Sequence, residues 1–478
     1  MYRDLREYLE VLERERELVH VHDPVSLDQE LAHILRELCY RSGPAALFHR
    51  VVETDVKVVG NLFGSLRRLR LATGNIDPAE RVAELEKYTK VMFRGFADLL
   101  RSLGDLQRFS KYFPKRVSKG PVHDVERDVN LVKLPAIRQW PREPGRFFTM
   151  GMLFIQYEDH INFGYYRLQV IGEDKLIVHW MPWRRSRMYA EASDREVEVA
   201  IVFGGDPITM LMASVPIPHP LDKLLITGIV RGEGVPLVRG KSVNVHYPAN
   251  AELVIEGVVK LDNLVQEGPF GDHAGYYSPV REYPVMEVTK ILSREDPIVP
   301  VTVTGKPVLE DGYMMMFGER VVLPLVRLVL PEVVDLHMPP EGVGYVTIVS
   351  IRKKYPGHAK RVMMFLWYSC PVLNKIVIVV DHDVNVRDMR QVMYAVATNV
   401  DPQRDVIIVP HYATEELDPA TPIVGFGSKI GIDATRKLPE EYEGKTYPEE
   451  VKPDDRVVAK VEKIVVKILE EYRKLRGS

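Results

Sequence analysis

The sequence predicts a multidomain chain of mixed α+β and α/β class: helices and short strands first, a β-rich middle, and a final third in which strands and helices alternate. Its 478 residues exceed what one core ordinarily fills. Hydrophobic residues at 46% and charged residues at 27% describe a globular chain rather than a disordered or fibrous one.

Helical spacing sets the first segment. Leu5, Leu9 and Leu12, then Leu31, Ile34, Leu35 and Leu38, recur on one face among charges and predict amphipathic helices over 3–17 and 27–41. ALFHRVV and VKVVGNLFGS read as short strands, and a third helical stretch runs from Asp77 to Leu103. From Val122 to Val303, β-branched and aromatic runs broken by Gly, Pro, Asn and Asp predict strands in GMLFIQY, KLIVHWM, PITMLMAS, LLITGIVRG and AELVIEGVVKL, hence a barrel or sandwich. Beyond Gly318 helical VVLPLVRLVLPEVV, strand GYVTIVSI, helical HAKRVMMFLWYS, strand KIVIVVD, helical VRDMRQVMYAVATNV and strand DVIIVP predict a parallel or mixed sheet covered by helices. Val457–Leu475 forms a last amphipathic helix, an arm or docking element. The expected divisions are 1–118, 119–315, 316–453 and 454–478.

Charge excludes several classes of partner. Lys plus Arg number 64 against 67 for Asp plus Glu, so a net charge of -3 gives no global attraction to nucleic acid or an anionic membrane. The N-terminal stretch is charged throughout, unlike a secretory signal, and no run approaches a membrane span. Cys39 and Cys370 are too few for a disulfide framework or a thiolate metal cluster. A cytoplasmic protein is expected.

Two segments carry the chemistry. In Gln266–Tyr277 (QEGPFGDHAGYY) a Gly-Pro turn can hold Glu267 and Asp272 on one side, while Phe270, Tyr276 and Tyr277 suit an apolar pocket that raises a carboxyl pKa toward proton transfer. The competing reading is a turn with solvated acids. In His160–Gln169 (HINFGYYRLQ) strict alternation puts Asn162, Gly164 and Tyr166 on one face and Arg167 on the other. Either Arg167 is a surface residue of an edge strand, or a bulge or bend turns it toward the others.

Asn162-x-Gly164-x-Tyr166-Arg167-x-Gln169, followed by Glu267-Gly-Pro-Phe-Gly-Asp272, resembles the UbiD family of prenylated-flavin decarboxylases. Similarity extends through Leu134–Thr149, Ala213–Pro218, Pro248–Gly257, Val379–Asp381, Asp401–Asp405 and Gly427–Thr435, most of the chain in order. The resemblance implies an N-terminal α+β region, a central FMN-binding split β-barrel, a C-terminal α/β domain mediating homo-oligomerisation as a dimer or hexamer, and a flavin prenyltransferase that supplies the cofactor. It implies reversible, non-oxidative decarboxylation of an α,β-unsaturated or aromatic acid through a covalent adduct with prenylated FMN, which acts as electron sink. Arg167, Glu267 and Asp272 match the catalytic network: Arg167 orients the carboxylate, Asp272 donates the proton, and Glu267 holds Arg167 or relays a proton. The tyrosine-rich loop is expected to exclude water. Asn162, Gly164, Tyr165, Tyr166, Arg167, Ser214, Val215, Pro216 and Lys429 match the cofactor-binding positions, Lys429 either reaching the flavin phosphate or capping a turn.

The chain departs from the family at the metal. Members hold Mn2+ through an Asn, a His and a Glu, with a monovalent cation such as K+ nearby. Asn162 matches, but Arg184 and Arg185 stand where the His is expected and Lys223 where the Glu is expected. Three readings remain: these cations clamp the flavin phosphate in place of the metal; Glu173, His179 or Asp222 is the true ligand; or the cations hold a phosphate or extra carboxylate on the substrate, as in the branch acting on a phosphorylated mevalonate derivative. His273, inside the acidic loop, is expected to support rather than to react. His20 and His22 read as a solvated strand face, and His219, His246 and His411 as structural. An unmodified-FMN flavin-reductase-like protein and a non-catalytic carboxylase subunit are the alternative functions.

Overall fold

The computed structural model describes residues 2–85, 109–181, 185–192, 196–218, 221–449, 451 and 453–476. They form two compact units, Met1–Lys353 with His358–Thr435, and Lys354–Gly357 with Arg436–Ser478. Arg184, His219 and the continuation of the third predicted helix lie outside the described residues.

The first unit opens with the helix Leu5–Arg14, whose Asp4 cap accepts the Glu7 N–H and whose Leu5, Tyr8, Leu9 and Leu12 are buried. A second helix, Glu30–Tyr40, follows. Strands Leu18–Val21, Ala45–Phe48 and Lys57–Gly60 make a small sheet. A fourth strand, Ile298–Val301, returns from far along the chain to pair in parallel with Lys57–Gly60. The middle of the chain is thereby fastened back onto the beginning.

The central sheet is antiparallel throughout. Its path runs Phe147–Phe148, Leu168–Val170, Lys175–Val178, Arg281–Ser293, Leu253–Glu267, Glu196–Phe203, Met152–Tyr157 and His160–Tyr165, with Val125–Arg127 added beside Arg281–Ser293. Its two ends are not paired among the described residues, so no barrel closes. Yet the chain passes from His160–Tyr165 at one end to Leu168–Val170 near the other through Tyr166 and Arg167 alone. That link spans about 10 Å at most, which forces the sheet to curl until its ends nearly meet. Arg167 stands at the seam, and the required bend is this change of strand.

Two of the predicted strands are helices. PITMLMAS forms Pro207–Ser214, started by Asp206 accepting the Thr209 N–H and by Pro207 in the first turn. LLITGIVRG forms Lys223–Arg231, capped by the Asp222 side chain and ended by Gly232 at φ +89°. The first is buried from Pro207 to Ala213 and the second on most of its faces, so the polar stripe that marks a helix in sequence is weak or missing. Gly228 allows the second helix to touch the backbone of Tyr112.

The last sheet runs Val333–His337, Val346–Ile351, Ile376–Asp381, Phe426–Asp433 and Val406–Ala413, parallel at its centre and antiparallel at both edges. Helices His358–Ser369 and Met389–Asn399 occupy predicted positions. The helix leading into this sheet spans Glu310–Val329 with Pro324 inside, starting before its sequence pattern and ending short of it, where Val333 opens a strand. In the second unit, the helix Asp455–Arg476 exposes Val457, Ile464, Ile468 and Leu475. Among the described residues no helix is long and apolar enough to cross a membrane.

Two helical glycines give opposite expectations for one substitution. A Cβ at Gly318 would lie 3.6 Å from Val215, so Gly318→Ala should stabilise by about 0.5–1 kcal/mol through helix propensity. At Gly228 the same atom would lie 1.9 Å from the Tyr112 carbonyl oxygen, and Gly228→Ala should destabilise by about 1–3 kcal/mol. Denaturant unfolding of both variants checks the signs.

Candidate active site

Arg167 gathers the motif acids. Its Nε donates to Glu267 Oε1 at 2.7 Å and its Nη2 to Glu267 Oε2 at 2.9 Å and Ser278 Oγ at 3.1 Å, while Nη1 donates to Asp272 Oδ2 at 2.6 Å. A guanidinium has five N–H donors. One Nη1 hydrogen is therefore left without a partner among the described residues, and Arg167 lines a cavity of about 320 Å³. Phe270 lies under the guanidinium, 5.1 Å from its carbon.

The loop between Glu267 and Arg281 is built to hold these acids. Gly268, at φ +88°, turns the chain out of its strand, and its N–H donates to Gln169 Oε1 at 2.9 Å, which ties the loop to the end of the first motif. Glu143 accepts the N–H groups of Gln139 and Trp140 on one oxygen and that of Gly271 on the other. Trp140 lies so close to Gly271 that a Cβ there would meet its indole at 2.0 Å, and Thr304 Oγ1 donates to the Gly271 carbonyl. Nothing in the sequence singled out Glu143, whose only signal was its place in the Leu134–Thr149 segment.

Contrary to the expectation of a raised carboxyl pKa, both motif acids are held ionised. Burial works against the charge of Asp272, but the hydrogen bond and charge of His273, then Arg167, hold it well below the carboxylate range. Burial likewise opposes Glu267, and the Arg167 charge with hydrogen bonds from His179 and Arg167 lowers it. The raised groups are their neighbours. His273, despite burial, is lifted to about 9 by its bond to and the charge of Asp272, with Nδ1 2.9 Å from Oδ1. Burial pushes Asp311 up to about 6 and Glu143 up to about 7.

The tyrosines also divide differently from expectation. Tyr276 is exposed, and Tyr277 packs its ring under Arg142, 5.0 Å away. Tyr165 and Tyr166 line the cavity instead, with Ser214 and Pro216. Val215 is buried beneath them, and Gly164 lies inside its strand against the Ala213 carbonyl. Lys429 is buried, donating to the Leu373 carbonyl at 2.8 Å beneath the loop that walls the cavity; burial lowers its pKa to about 8. A larger apolar groove of about 600 Å³ adjoins and shares Ser214, Pro216, Met314, Met315, Cys370 and Leu373.

A flat, partly polar cofactor fits this cavity. The Tyr165 hydroxyl is buried without a hydrogen-bond partner and belongs to the lining. Among the described residues no group of three His, Cys, Asp or Glu is placed to hold a metal ion. Asn162 is buried in its strand, Asp222 caps a helix, Glu173 accepts from Asn130 Nδ2, and His179 faces Glu267 and Glu416. Arg185 donates to the Leu221 and Ile217 carbonyls, so two of its donors hold a loop rather than a phosphate. Lys223 is buried with Nζ 3.2 Å from the Ala213 carbonyl and 4.9 Å from the Phe163 ring centre.

Profiles of the 3-octaprenyl-4-hydroxybenzoate carboxy-lyase N-terminal, Rift-related and C-terminal domains match residues 9–89, 115–307 and 312–434 in order. The chain belongs to the UbiD family of carboxy-lyases. An uncharacterized protein of Aeropyrum pernix is 43% identical, over 96% of this chain and 97% of the relative. Another, from Archaeoglobus fulgidus, is 38% identical over 97% and 98%. The closed form of vanillic acid decarboxylase from Sedimentibacter hydroxybenzoicus superposes with a TM-score of 0.85 at 26% identity, covering 97% of this chain and 99% of that one. The UbiD-class enzyme HmfF of Pelotomaculum thermopropionicum, in complex with FMN, gives 0.76 at 28% identity over 95% and 98%.

The Asp272–His273 pair fixes the sign of a pH effect in this UbiD-family chain. A histidine raised from 6.5 to about 9 adds stability that is fully present below pH 6.5 and lost as the pH climbs through 9. Unfolding midpoints of the wild type and His273→Gln, measured from pH 6 to about pH 10, should converge across that window. A constant difference would mean that the pair does not titrate as described.

Proposed function

We propose that this enzyme decarboxylates an α,β-unsaturated or aromatic acid, reversibly and without oxidant, using prenylated FMN in the cavity beside Arg167. The observation that carries the reading is a buried arginine with one Nη1 hydrogen unpartnered, fixed by two carboxylates and lining a cavity with an unsatisfied tyrosine hydroxyl. The curled, open central sheet is then the split barrel of a flavin domain. Tyr165, Tyr166, Ser214 and Pro216, which line the cavity, would hold the ring system, and Lys223, buried behind Phe163, would add positive charge toward its phosphate end. When bound, the prenylated flavin supplies the electron sink that loss of carbon dioxide requires.

The protein's residues do the rest. Arg167 binds the substrate carboxylate through one charge-assisted hydrogen bond, which disappears as neutral carbon dioxide forms. Glu267 keeps the guanidinium from turning. The proton that replaces carbon dioxide on the substrate carbon is held at rest on His273, whose raised pKa keeps it charged at neutral pH, and Asp272 passes it on. This refines the direct role expected for Asp272, since its carboxyl is ionised in the resting site. The cofactor comes from a flavin prenyltransferase, and the enzyme works as a homo-oligomer in the cytoplasm. The vanillic acid decarboxylase and HmfF likenesses favour this reading over a plain flavin reductase.

The test is carbon dioxide release, without reductant, from a panel of aromatic and acrylic acids after co-expression with a flavin prenyltransferase. Asp272→Asn and Arg167→Ala should each lower kcat at least about 100-fold. Activity that needs a reductant, or that survives both substitutions, would refute the reading. The wild-type rate should also fall as the pH passes about 9, the value given for His273, and His273→Gln should abolish that alkaline limb.

A further inference from the structure

We propose that Glu416 is a positioning residue, a strap from the C-terminal sheet that grips His179 and Tyr283 of the central sheet and, through His179, fixes Glu267 behind Arg167. The segment after strand Val406–Ala413 crosses to the active site, where Glu415 and Leu417 line the cavity. Glu416, between them, turns away from the cavity and is buried. Its Oε1 lies 2.8 Å from His179 Nε2, and the Tyr283 hydroxyl donates to both carboxylate oxygens at 3.0 and 3.2 Å. The other ring nitrogen of His179, Nδ1, faces Glu267 Oε2 at 3.4 Å. The imidazole packs on the Tyr283 ring with centroids 4.3 Å apart. On its own side the strap is tied down by Asp418, whose carboxylate receives Lys375 Nζ at 2.8 and 3.0 Å.

This arrangement does more than cover a cavity. An apolar residue would cover equally well and would tolerate small shifts. A carboxylate taken out of water is stable only while its two donors are in place, so the strap settles only when His179 stands where it also contacts Glu267. His179 thus links closure of the cavity wall to the register of the arginine clamp, over residues 133 positions apart in sequence between Tyr283 and Glu416. The proposal rests on the carboxy-lyase reading for its kinetic consequence but not for its structural one.

The experiment combines amide hydrogen exchange of the full chain, FMN titration and steady-state kinetics for wild type, Glu416→Ala and Glu416→Gln. Glu416→Ala should speed exchange about tenfold in residues 413–421, and measurably in the 265–272 segment that bears Glu267. It should lower kcat about 10- to 100-fold while FMN affinity and KM change less than about threefold. Glu416→Gln, which keeps an acceptor for Tyr283, should recover part of both losses. Faster exchange confined to 413–421 would reduce the strap to a cover and overturn the proposal, as would a fall in FMN affinity that matches the fall in kcat. If the wild type releases carbon dioxide from none of the acids, the functional reading fails, and exchange alone still decides the strap.

Discussion

A guanidinium buried at the seam of a curled sheet is the constraint around which this molecule is arranged. Arg167 cannot lose its proton and cannot be left alone in a medium of low polarity, so its surroundings must supply the opposite charge in matched geometry. Glu267 does this with a two-pronged pairing and Asp272 with a third bond. Removing Arg167 itself would leave both buried carboxylates without their shared cation, a loss of about 3–5 kcal/mol or more for buried pairs. The acids sit 100 and 105 residues further along the chain. The long strands Leu253–Glu267 and Arg281–Ser293 exist in part to bring them there.

Fixing the arginine transfers the problem outward. Each acid that neutralises it must itself be held, and each is held by a different region. Glu267 reaches His179 and, beyond it, the strap from the C-terminal sheet. Asp272 takes a half-buried histidine and the backbone N–H that follows it. The turn between them hangs from Glu143 and Thr304. The order of the site is thus a property of the central and C-terminal segments together.

How much of this could be read from the residues depended on distance along the chain. Arg167, Glu267 and Asp272 came from the family resemblance of two compact motifs; on its own residues, Arg167 could equally be a surface residue of an edge strand. Beyond Gly318 the alternating apolar patterns marked three strands and three helices, but not the strand Phe426–Asp433, and they ran the first helix into the strand Val333–His337. Pro207–Ser214 and Lys223–Arg231 were misread as strands because helices buried on most faces show little amphipathic period; Asp206 and Asp222, their caps, were the available signal. Glu416 and Glu143 carry no local mark of function, and His179 was considered only as a metal ligand. Their roles arise from contacts across folded distance, and a lone charged residue in sequence does not reveal its partner. The direction of the carboxyl pKa was missed because aromatic neighbours suggested desolvation, while the charge of Arg167, far away in sequence, lowers Glu267, and the adjacent His273, then Arg167, lowers Asp272.

The charge pattern around the cavity also bears on why the site reacts rather than merely binds. Asp272, Asp311 and Glu415 stand on the cavity wall beside the single arginine. An incoming carboxylate meets one free N–H and the charged His273 among several acidic neighbours, which offset part of what its ground state gains. As carbon dioxide departs, the negative charge leaves the carboxylate, and the repulsion from those acids falls with it. Interactions that weaken an anion at the start of a reaction and spare the neutral product at its end lower the barrier between them. A site with a fully open arginine fork would hold the acid more tightly and release carbon dioxide more slowly. Occupying four of five guanidinium donors is, on this argument, part of the catalytic design rather than a by-product of burial.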